Sequence, residues 1–196
     1  MPIMKRICVF CGSNAGLNPV YVSEARRLGN LIAARGSSLV YGGAKLGLMG
    51  AIADAVLAGG GEAIGVIPAS LVDKEIAHAG LTELHTVGSM HERKALMEKL
   101  SDTFIAMPGG YGTLDEFCEI LTWAQLGLHR KPCGISKSNG YYNRLQGMLD
   151  HGVAEGFLKG EHRAFIVDES DPEALLDRLS TYEFRQSEKW INREQT

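Results

Sequence analysis

The segment 108–116, Pro-Gly-Gly-Tyr-Gly-Thr-Leu-Asp-Glu, holds the residues whose types and spacing are best suited to chemistry. It follows an apolar run at 103–107 that predicts a buried strand, and it opens an amphipathic pattern that predicts a helix. A glycine-rich turn between a strand and a helix presents backbone N–H groups at the positive end of the helix dipole, which favours phosphate binding. Thr113 adds a hydroxyl donor, and Glu116 places a carboxylate one turn into the helix. The segment therefore indicates chemistry on a phosphorylated small molecule.

Thr113 and Glu116 also have the spacing of a capping box, in which the two side chains satisfy backbone N–H groups at a helix start. A capping box requires none of the glycines Gly109, Gly110 and Gly112. Glycine is required where φ is positive or where a ligand must approach the backbone closely. The glycines therefore favour the phosphate-binding interpretation, with the capping box as the alternative.

Two adjacent cations, Arg93 and Lys94, fall in the first turn of a helix that is predicted to begin after Ser89. Ser89 and Glu92 have the spacing of a second capping box. Cations oppose the helix dipole at this end, whereas an acid such as Glu92 is favourable there. An anionic ligand explains the two cations better than the helix does, and an exposed face with ordinary salt bridges is the alternative.

Strand and helix patterns alternate along the whole chain. Strands are predicted at residues 6–11, 38–41, 63–67, 103–107, 133–136 and 164–167, with a further apolar stretch near Leu84. Helices are predicted at residues 19–35, 47–58, 89–100, 111–128, 141–155 and 172–179, with a short one near Leu71. This alternation predicts an α/β fold, a Rossmann-like doubly wound parallel sheet of about seven strands with helices on both faces. Residues 1–180 are expected to form a single nucleotide-binding domain, and residues 181–196 a charged C-terminal tail.

Ligands of doubly wound sheets bind beyond the carboxyl ends of the strands, where the strand order reverses. Three glycine-bearing turns follow predicted strands: residues 11–14 with Ser13, residues 41–50 with Gly43, and residues 108–113. If the first strand neighbours the strand that ends at Met107, the first and third turns flank one crevice. None of the turns matches the dinucleotide fingerprint or a Walker loop, so a mononucleotide or sugar phosphate is favoured over a nicotinamide cofactor or ATP.

The composition is that of an ordinary globular protein, with 45% hydrophobic and 22% charged residues among 196. The net charge of −3 argues against a nucleic-acid partner, and no apolar stretch approaches the roughly 20 residues that span a membrane. A cytoplasmic location is expected. Cys8 and Cys11 have CxxC spacing, but Cys118 and Cys133 form no second pair, so buried reduced thiols are favoured over a metal or redox site. Neither a metal nor a cofactor is predicted.

Several separate motifs follow one another along nearly the whole chain. They are Val9-Phe10-Cys11-Gly12-Ser13, Tyr41-Gly42-Gly43, Gly65-Val66-Ile67-Pro68, Met90-His91-Glu92-Arg93-Lys94, residues 108–116, Thr122-Trp123-Ala124-Gln125-Leu126-Gly127 and Gly140-Tyr141-Tyr142-Asn143. In this order they resemble the Lonely-guy family of cytokinin riboside 5′-monophosphate phosphoribohydrolases, once labelled lysine decarboxylases. Asn14 and Ala44 depart from the family pattern, which often has serine and glycine there, and these two positions bear on substrate preference.

The resemblance implies hydrolysis of the N-glycosidic bond of an adenosine 5′-monophosphate, N6-modified in cytokinins, to a free base and ribose 5-phosphate. It implies that Arg93 and Glu116 are the catalytic residues, and that the protein is a homodimer. With the glycine turns added, the predicted substrate-binding set is Ser13, Gly43, Glu75, Arg93, Lys94, Gly109, Gly110, Tyr111, Gly112, Thr113, Glu116 and Thr122.

The chemistry of the reaction agrees with the residues. Glycosidic cleavage passes through an oxocarbenium-like state, which a fixed carboxylate near the anomeric carbon stabilises. Glu116 could act in this way, or orient the attacking water or the ribose hydroxyls, while Arg93 would anchor substrate or hold Glu116 ionised. Two alternatives remain: a nucleosidase that prefers unmodified AMP, and a non-catalytic nucleotide-binding or carrier protein on the same scaffold.

Overall fold

A computed structural model describes residues 4–75 and 77–184 of the chain. Within this part the strands form one seven-stranded sheet in which every neighbouring pair is parallel. The strands are β1 (Arg6–Phe10), β2 (Ser38–Tyr41), β3 (Ala63–Pro68), β4 (Glu83–Val87), β5 (Thr103–Ala106), β6 (Cys133–Ser136) and β7 (Ile166–Glu169). Their order in the sheet is β4-β3-β2-β1-β5-β6-β7. The predicted fold class, a doubly wound parallel sheet, is confirmed.

Helices cover both faces of the sheet, as predicted. They are α1 (Val20–Ala34), α2 (Gly47–Ala58), α3 (Ala69–Glu75), α4 (Met90–Leu100), α5 (Tyr111–Gln125), α6 (Asn143–Ala154), α7 (Gly160–Arg163) and α8 (Pro172–Ser180), with a 3-10 turn at Ser138–Gly140. The apolar sides of α1, α2 and α8 pack in one core, and those of α4, α5 and α6 pack in the other. No helix of the described part is long and apolar enough to cross a bilayer.

Alternating side chains of the strands enter the two cores in turn. In β1, Ile7 and Val9 pack against the α1 and α2 side, while Cys8 and Phe10 pack against the α4 and α5 side. All four are at most 2% exposed, as expected for a central strand of a parallel sheet that is covered on both faces.

The strand order reverses between β1 and β5, which pair with Phe10 opposite Ala106. From β1 the chain winds outward to β4 and then returns to continue from β5 in the other direction. The turns that follow these two strands are joined directly, since the Gly12 N–H donates to the Pro108 carbonyl oxygen at 3.0 Å. The first and third glycine turns therefore flank one crevice at the switch point.

The apolar stretch near Leu84 is the edge strand β4, which completes the predicted total of about seven strands. Three other elements depart from their predicted bounds by two residues or more. Helix α5 ends at Gln125 instead of residue 128. The last strand is found at 166–169 instead of 164–167, because α7 and the buried Phe165 occupy the preceding residues. The helix predicted from residue 141 begins at Asn143, since the 3-10 turn lies ahead of it. The division between domain and tail at residue 180 stays a prediction, and residues 185–196 lie outside the described residues.

Candidate active site

The crevice at the switch point widens into a cavity of about 520 Å³. Residues from the first glycine turn, from α4 and from the third glycine turn line it. The structure brings together there eight of the predicted site residues: Ser13, Arg93, Gly109, Gly110, Tyr111, Gly112, Thr113 and Glu116.

The glycines of the third turn serve two different purposes. A Cβ at Gly109 would overlap the Thr113 hydroxyl and approach the Gly12 nitrogen to 2.9 Å, so the packing of the protein itself requires glycine there. A Cβ at Gly110 or Gly112 would meet no protein atom within 4 Å, and neither residue has positive φ. Nothing in the protein demands glycine at these two positions, and the open space beside the backbone is what a bound ligand needs.

The start of α5 excludes the capping-box alternative for Thr113 and Glu116. The N-cap residue is Gly110, which has no side chain, and Thr113 is the third residue of the helix. The first N–H groups of an α-helix have no partner within the helix, so the amides of Tyr111, Gly112 and Thr113 are available at the positive end of its dipole. The arrangement is that of an anion-binding helix terminus beside a cavity.

The second glycine turn uses its helix amides differently. At the start of α2, the N–H groups of Leu48 and Met49 both point at the Gly12 carbonyl oxygen, at 3.0 and 3.4 Å. Gly47 has φ of +57°, and a Cβ there would overlap the backbone of Ser13 and Asn14. This turn packs against the first one and thereby shapes it.

Arg93 is held in place by two backbone carbonyl groups, one in strand β3 and one in the loop after β2. Its Nε donates to the Val66 carbonyl oxygen at 3.0 Å, and its Nη2 donates to the Gly42 carbonyl oxygen at 3.2 Å. A Cβ at Gly42 would overlap Nη2, so the glycine makes room for the guanidinium. The capping box of α4, with the Glu92 N–H donating to the Ser89 hydroxyl at 3.2 Å, fixes the helix start that carries Arg93.

The remaining guanidinium nitrogen of Arg93 faces Glu116. Nη1 lies 4.0 Å from Oε1 of Glu116, and the two side chains are 7% and 12% exposed. Interactions between opposite charges are strong where water is largely excluded. The cavity thus holds a fixed carboxylate, oriented by a fixed cation, beside a wall of backbone donors.

Lys94 does not line the cavity. Its Nζ lies 3.3 Å from Oδ2 of Asp115 and 3.1 Å from Oε2 of Glu119, both on α5. Burial acts to lower the pKa of Lys94, but the carboxylates of Glu119 and Asp115 outweigh it and raise the pKa. Lys94 therefore makes two salt bridges to α5 with a side chain that is only 11% exposed, and its contact with substrate stays a prediction.

Three other predicted site residues lie elsewhere. Gly43 has φ of +80° and packs against Gly65 and Leu84, while its neighbour Gly42 lines the cavity instead. Thr122 is exposed, and its hydroxyl donates to the Cys118 carbonyl oxygen one turn earlier in α5. Glu75 ends α3, and its side chain lies outside the described residues.

Some cavity residues were not predicted from the sequence. Tyr21, Leu71 and Met90 enter from α1, α3 and α4, and the local patterns of these helices do not tell which of their side chains face the crevice. Tyr141 also lines the cavity. Its position in the Gly-Tyr-Tyr-Asn motif was the signal that could have identified it.

The cysteine prediction holds for Cys8, Cys11 and Cys133, which are free and buried. Burial raises the pKa of the Cys133 thiol to about 12 and also raises the pKa values of Cys8 and Cys11. Cys118 is exposed on α5, contrary to the prediction, because it lies on the solvent side of that helix. No group of three His, Cys, Asp or Glu side chains in the described part is arranged to hold a metal ion.

Fold and cavity together define a Rossmann-like α/β protein with a glycine-rich helix start and a buried Arg–Glu pair at the switch point. The family model described as "Possible lysine decarboxylase" matches residues 49–179. A cytokinin riboside 5′-monophosphate phosphoribohydrolase of Arabidopsis thaliana is 48% identical over 91% of this chain and 82% of its own length. A protein of Oryza sativa subsp. japonica named "Probable cytokinin riboside 5′-monophosphate phosphoribohydrolase" is 49% identical over 91% of this chain and 78% of its own. The chain belongs to this phosphoribohydrolase family, the Lonely-guy family.

Solved structures share the fold at low sequence identity. The molybdenum cofactor carrier protein of Chlamydomonas reinhardtii superposes with a TM-score of 0.68 at 21% identity, over 91% of this chain and 99% of that one. At this identity the likeness concerns the fold alone.

Proposed function

We propose that the protein hydrolyses the N-glycosidic bond of a cytokinin riboside 5′-monophosphate, an N6-substituted adenosine 5′-monophosphate, releasing the free base and ribose 5-phosphate. The named activity of relatives that are nearly half identical over nine tenths of the chain supports this activity. In the reaction, water oxygen bonds to the anomeric carbon as the bond to the base nitrogen breaks. One proton of the water passes to the departing base.

The observation that carries the proposal is the position of Glu116 relative to the anion-binding terminus of its own helix. With a rise of 1.5 Å per residue, Glu116 lies about 7.5 Å along the axis from the first residue of α5. That separation is comparable with the length of a ribose phosphate. A substrate whose phosphate binds the amides of residues 111–113 therefore has its anomeric carbon near the carboxylate.

Glu116 then stabilises the positive charge that develops on the ribose ring as the bond breaks. Because Arg93 is fixed by two backbone carbonyl groups, it holds the carboxylate without having to reorganise during the reaction. Arg93 and Glu116 are the proposed catalytic pair. Ser13 and residues 109–113 are the proposed phosphate and ribose contacts.

We also propose that the protein acts in the cytoplasm as a homodimer, as the resemblance to the family implies. Tyr111 is 92% exposed at the cavity mouth, and Leu17 is fully exposed close to the first glycine turn. Two exposed apolar side chains are not by themselves a sign of an interface, so the resemblance to the family carries this proposal. Sedimentation velocity of the purified protein tests this proposal, and a single species with the mass of one chain would contradict it.

The experiment that tests the proposed function is incubation with AMP and with N6-isopentenyl-AMP, followed by chromatography of the released bases. Faster release of the N6-substituted base supports the proposal. Preference for AMP would identify a nucleosidase instead. Binding of both nucleotides without release of any base would identify a carrier.

A further inference from the structure

Two adjacent tyrosines beyond β6 donate hydrogen bonds to the segment that leads into α5. The Tyr141 hydroxyl donates to the Gly109 carbonyl oxygen, and the Tyr142 hydroxyl donates to the Met107 carbonyl oxygen, both at 2.7 Å. The proposed function uses neither hydroxyl. The two hydrogen bonds have the same length, but the peptide group that accepts from Tyr141 carries an N–H, whereas the one that accepts from Tyr142 does not.

A trans peptide group is planar, and its C=O and N–H point in opposite directions. No cis peptide bond is found in the described part of the chain. A partner that fixes the Gly109 carbonyl therefore also fixes the direction of the Gly110 N–H. This matters because a peptide group between two glycines has no Cβ on either side to restrict its rotation.

The flanking peptide groups of the turn are fixed by the backbone. The Pro108 carbonyl accepts from the Gly12 N–H at 3.0 Å, and the Gly110 carbonyl accepts from the Leu114 N–H at 3.2 Å. Between them lies the peptide group of Gly109 and Gly110, whose carbonyl accepts from the Tyr141 side chain. Of three successive peptide planes, the middle one depends on a side chain that itself lines the cavity.

We propose that Tyr141 is a positioning residue that aims the backbone N–H of Gly110 at the phosphate of the substrate. The role rests on the proposed function for the identity of the phosphate ester. The Tyr141 hydroxyl touches the turn rather than the reacting atoms, and its effect passes through the Gly110 amide. Its loss therefore weakens recognition of the phosphate and leaves the rest of the substrate contacts unchanged.

Tyr142 provides a matched control. Its acceptor, the Met107 carbonyl, belongs to the peptide group of Pro108, which has no N–H to aim. Tyr142 is 2% exposed, whereas Tyr141 is 45% exposed. We therefore expect loss of the Tyr142 hydroxyl to lower stability by leaving a buried carbonyl without its donor, with little effect on phosphate recognition.

Phenylalanine at position 141 removes the hydroxyl and keeps the ring. The Tyr141 ring packs edge-on against the rings of Tyr21 and Tyr142, with centroid distances of 5.9 and 5.0 Å. These contacts survive in Tyr141→Phe, so the variant changes the hydrogen bond to Gly109 and little else.

The experiment measures kcat/KM for AMP and for adenosine in the wild-type protein, in Tyr141→Phe and in Tyr142→Phe. It also measures ribose 5-phosphate binding by calorimetry and thermal unfolding. Tyr141→Phe is expected to lower kcat/KM for AMP and affinity for ribose 5-phosphate about tenfold, as for one hydrogen bond to a charged group. Its kcat/KM for adenosine and its melting temperature stay unchanged. Tyr142→Phe is expected to lower the melting temperature and to keep the wild-type AMP-to-adenosine ratio.

An unchanged AMP-to-adenosine ratio and unchanged ribose 5-phosphate affinity in Tyr141→Phe would overturn the inference. An equal fall of the ratio in both variants would also overturn it, because the effect would then be general to the turn. If the wild-type protein releases no base from AMP or from N6-isopentenyl-AMP, the proposed function fails, and the calorimetric arm still decides the role of Tyr141.

Discussion

The proposed chemistry depends on Glu116. It is 12% exposed beside the cavity, its Oε1 lies 4.0 Å from Nη1 of Arg93, and it stands on the helix whose start is the proposed phosphate-binding turn. A carboxylate needed only for stability would be expected at the helix start as a cap, and the structure shows that Gly110 occupies that position. A fixed negative charge facing a cavity is what an oxocarbenium-like state requires.

Glu116→Gln is expected to lower kcat for release of the base about a thousandfold while the fold and the binding of ribose 5-phosphate are retained. Glutamine keeps the shape of the side chain but has no charge to stabilise the developing cation. Turnover numbers and circular dichroism check this expectation. Glu119→Gln is the matched control, because it removes a carboxylate from the same helix outside the cavity lining. Near wild-type turnover by Glu116→Gln would sink the mechanism.

Gly112→Val is expected to weaken AMP binding at least tenfold and to change the free energy of unfolding by less than about 1 kcal/mol. A Cβ at Gly112 meets nothing within 4 Å beyond its own stretch of helix, and the methyl groups of valine would extend into the space that the phosphate needs. Calorimetric titration with AMP and urea unfolding provide the measurements. Gly147→Val, at an equally open helix position in α6, is the control for the general effect of valine. Unchanged AMP affinity in Gly112→Val would remove the turn from the binding site.

The site residues that the sequence predicts best are those that lie close together in the chain. The glycine turn, Thr113 and Glu116 lie within nine residues, and their contribution to one site follows from the strand–turn–helix pattern. Glycine at position 112 is expected either where φ is positive or where a ligand needs space beside the backbone. The structure shows open space and no positive φ at Gly112, so space for a ligand is the reason that remains. Backbone angles of this kind depend on where the helix begins, which a sequence places only to within a few residues.

At the scale of elements, α4 is tied to the sheet through Arg93. The guanidinium links this helix to β3 through Val66 and to the loop after β2 through Gly42. An arginine can serve both carbonyl groups and still face Glu116, because its donors are spread over a rigid planar group. The ammonium group of lysine is a single point and cannot replace it.

Arg93→Lys is expected to lower the free energy of unfolding by about 2 kcal/mol, because at least one buried carbonyl loses a charged donor. It is also expected to lower kcat/KM, since Glu116 loses its fixed partner. Urea unfolding and steady-state kinetics measure the two effects. Lys94→Met, which breaks the ion pairs with Asp115 and Glu119, should change stability by less than about 1 kcal/mol. Equal stability losses in both variants would contradict this account of α4.

The free energy of unfolding should depend on pH because of Asp171, the residue that caps the start of α8. Asp171 accepts backbone hydrogen bonds from Ala174 and Glu173 and pairs with Arg27, and these contacts lower its pKa. A carboxylate with a depressed pKa contributes stability that is present above its unfolded value of about 4 and is lost as the pH falls through its folded value. The stability difference between the wild-type protein and Asp171→Asn should therefore be larger at pH 6 than at pH 3. Urea unfolding at both pH values tests this, and equal differences would disprove it.

The elements themselves were largely predictable, because strands buried on both faces are continuous apolar runs bounded by glycine or proline. The strand β4 was harder to recognise, since Glu83 and Leu84 are exposed on the edge of the sheet. The salt bridges of Lys94 were not predictable from its position in α4. They depend on two carboxylates of α5, and the dipole of α4 gives no information about which side chains of a neighbouring helix lie close to Lys94.

At the scale of the whole molecule, the site exists because β1 and β5 are adjacent. This pairing joins residues about a hundred positions apart in sequence and places the turn at Gly12 against the turn at Pro108. Local patterns fix the class of the sheet but not the order of its strands, so the prediction of a shared crevice depended on an assumed neighbour. The right-handed crossovers on either side of β1 then leave the crevice open at the carboxyl edge.

The 5′-phosphate is expected to be required for turnover, because the first residues of α5, including Thr113, line the cavity at the positive end of the helix dipole. Remote binding of this kind holds the reacting bond beside Glu116, so its loss lowers turnover as well as affinity. Adenosine should be cleaved at least about a hundredfold more slowly than AMP, taking about 3 kcal/mol for contacts to a charged group. Adenosine 3′-monophosphate is the control, since it keeps the phosphate but places it elsewhere, and it should be as slow as adenosine. Values of kcat/KM measured under identical conditions decide the matter. Comparable values for AMP and adenosine would mean that the turn serves another ligand, and the phosphoribohydrolase proposal would have to be abandoned.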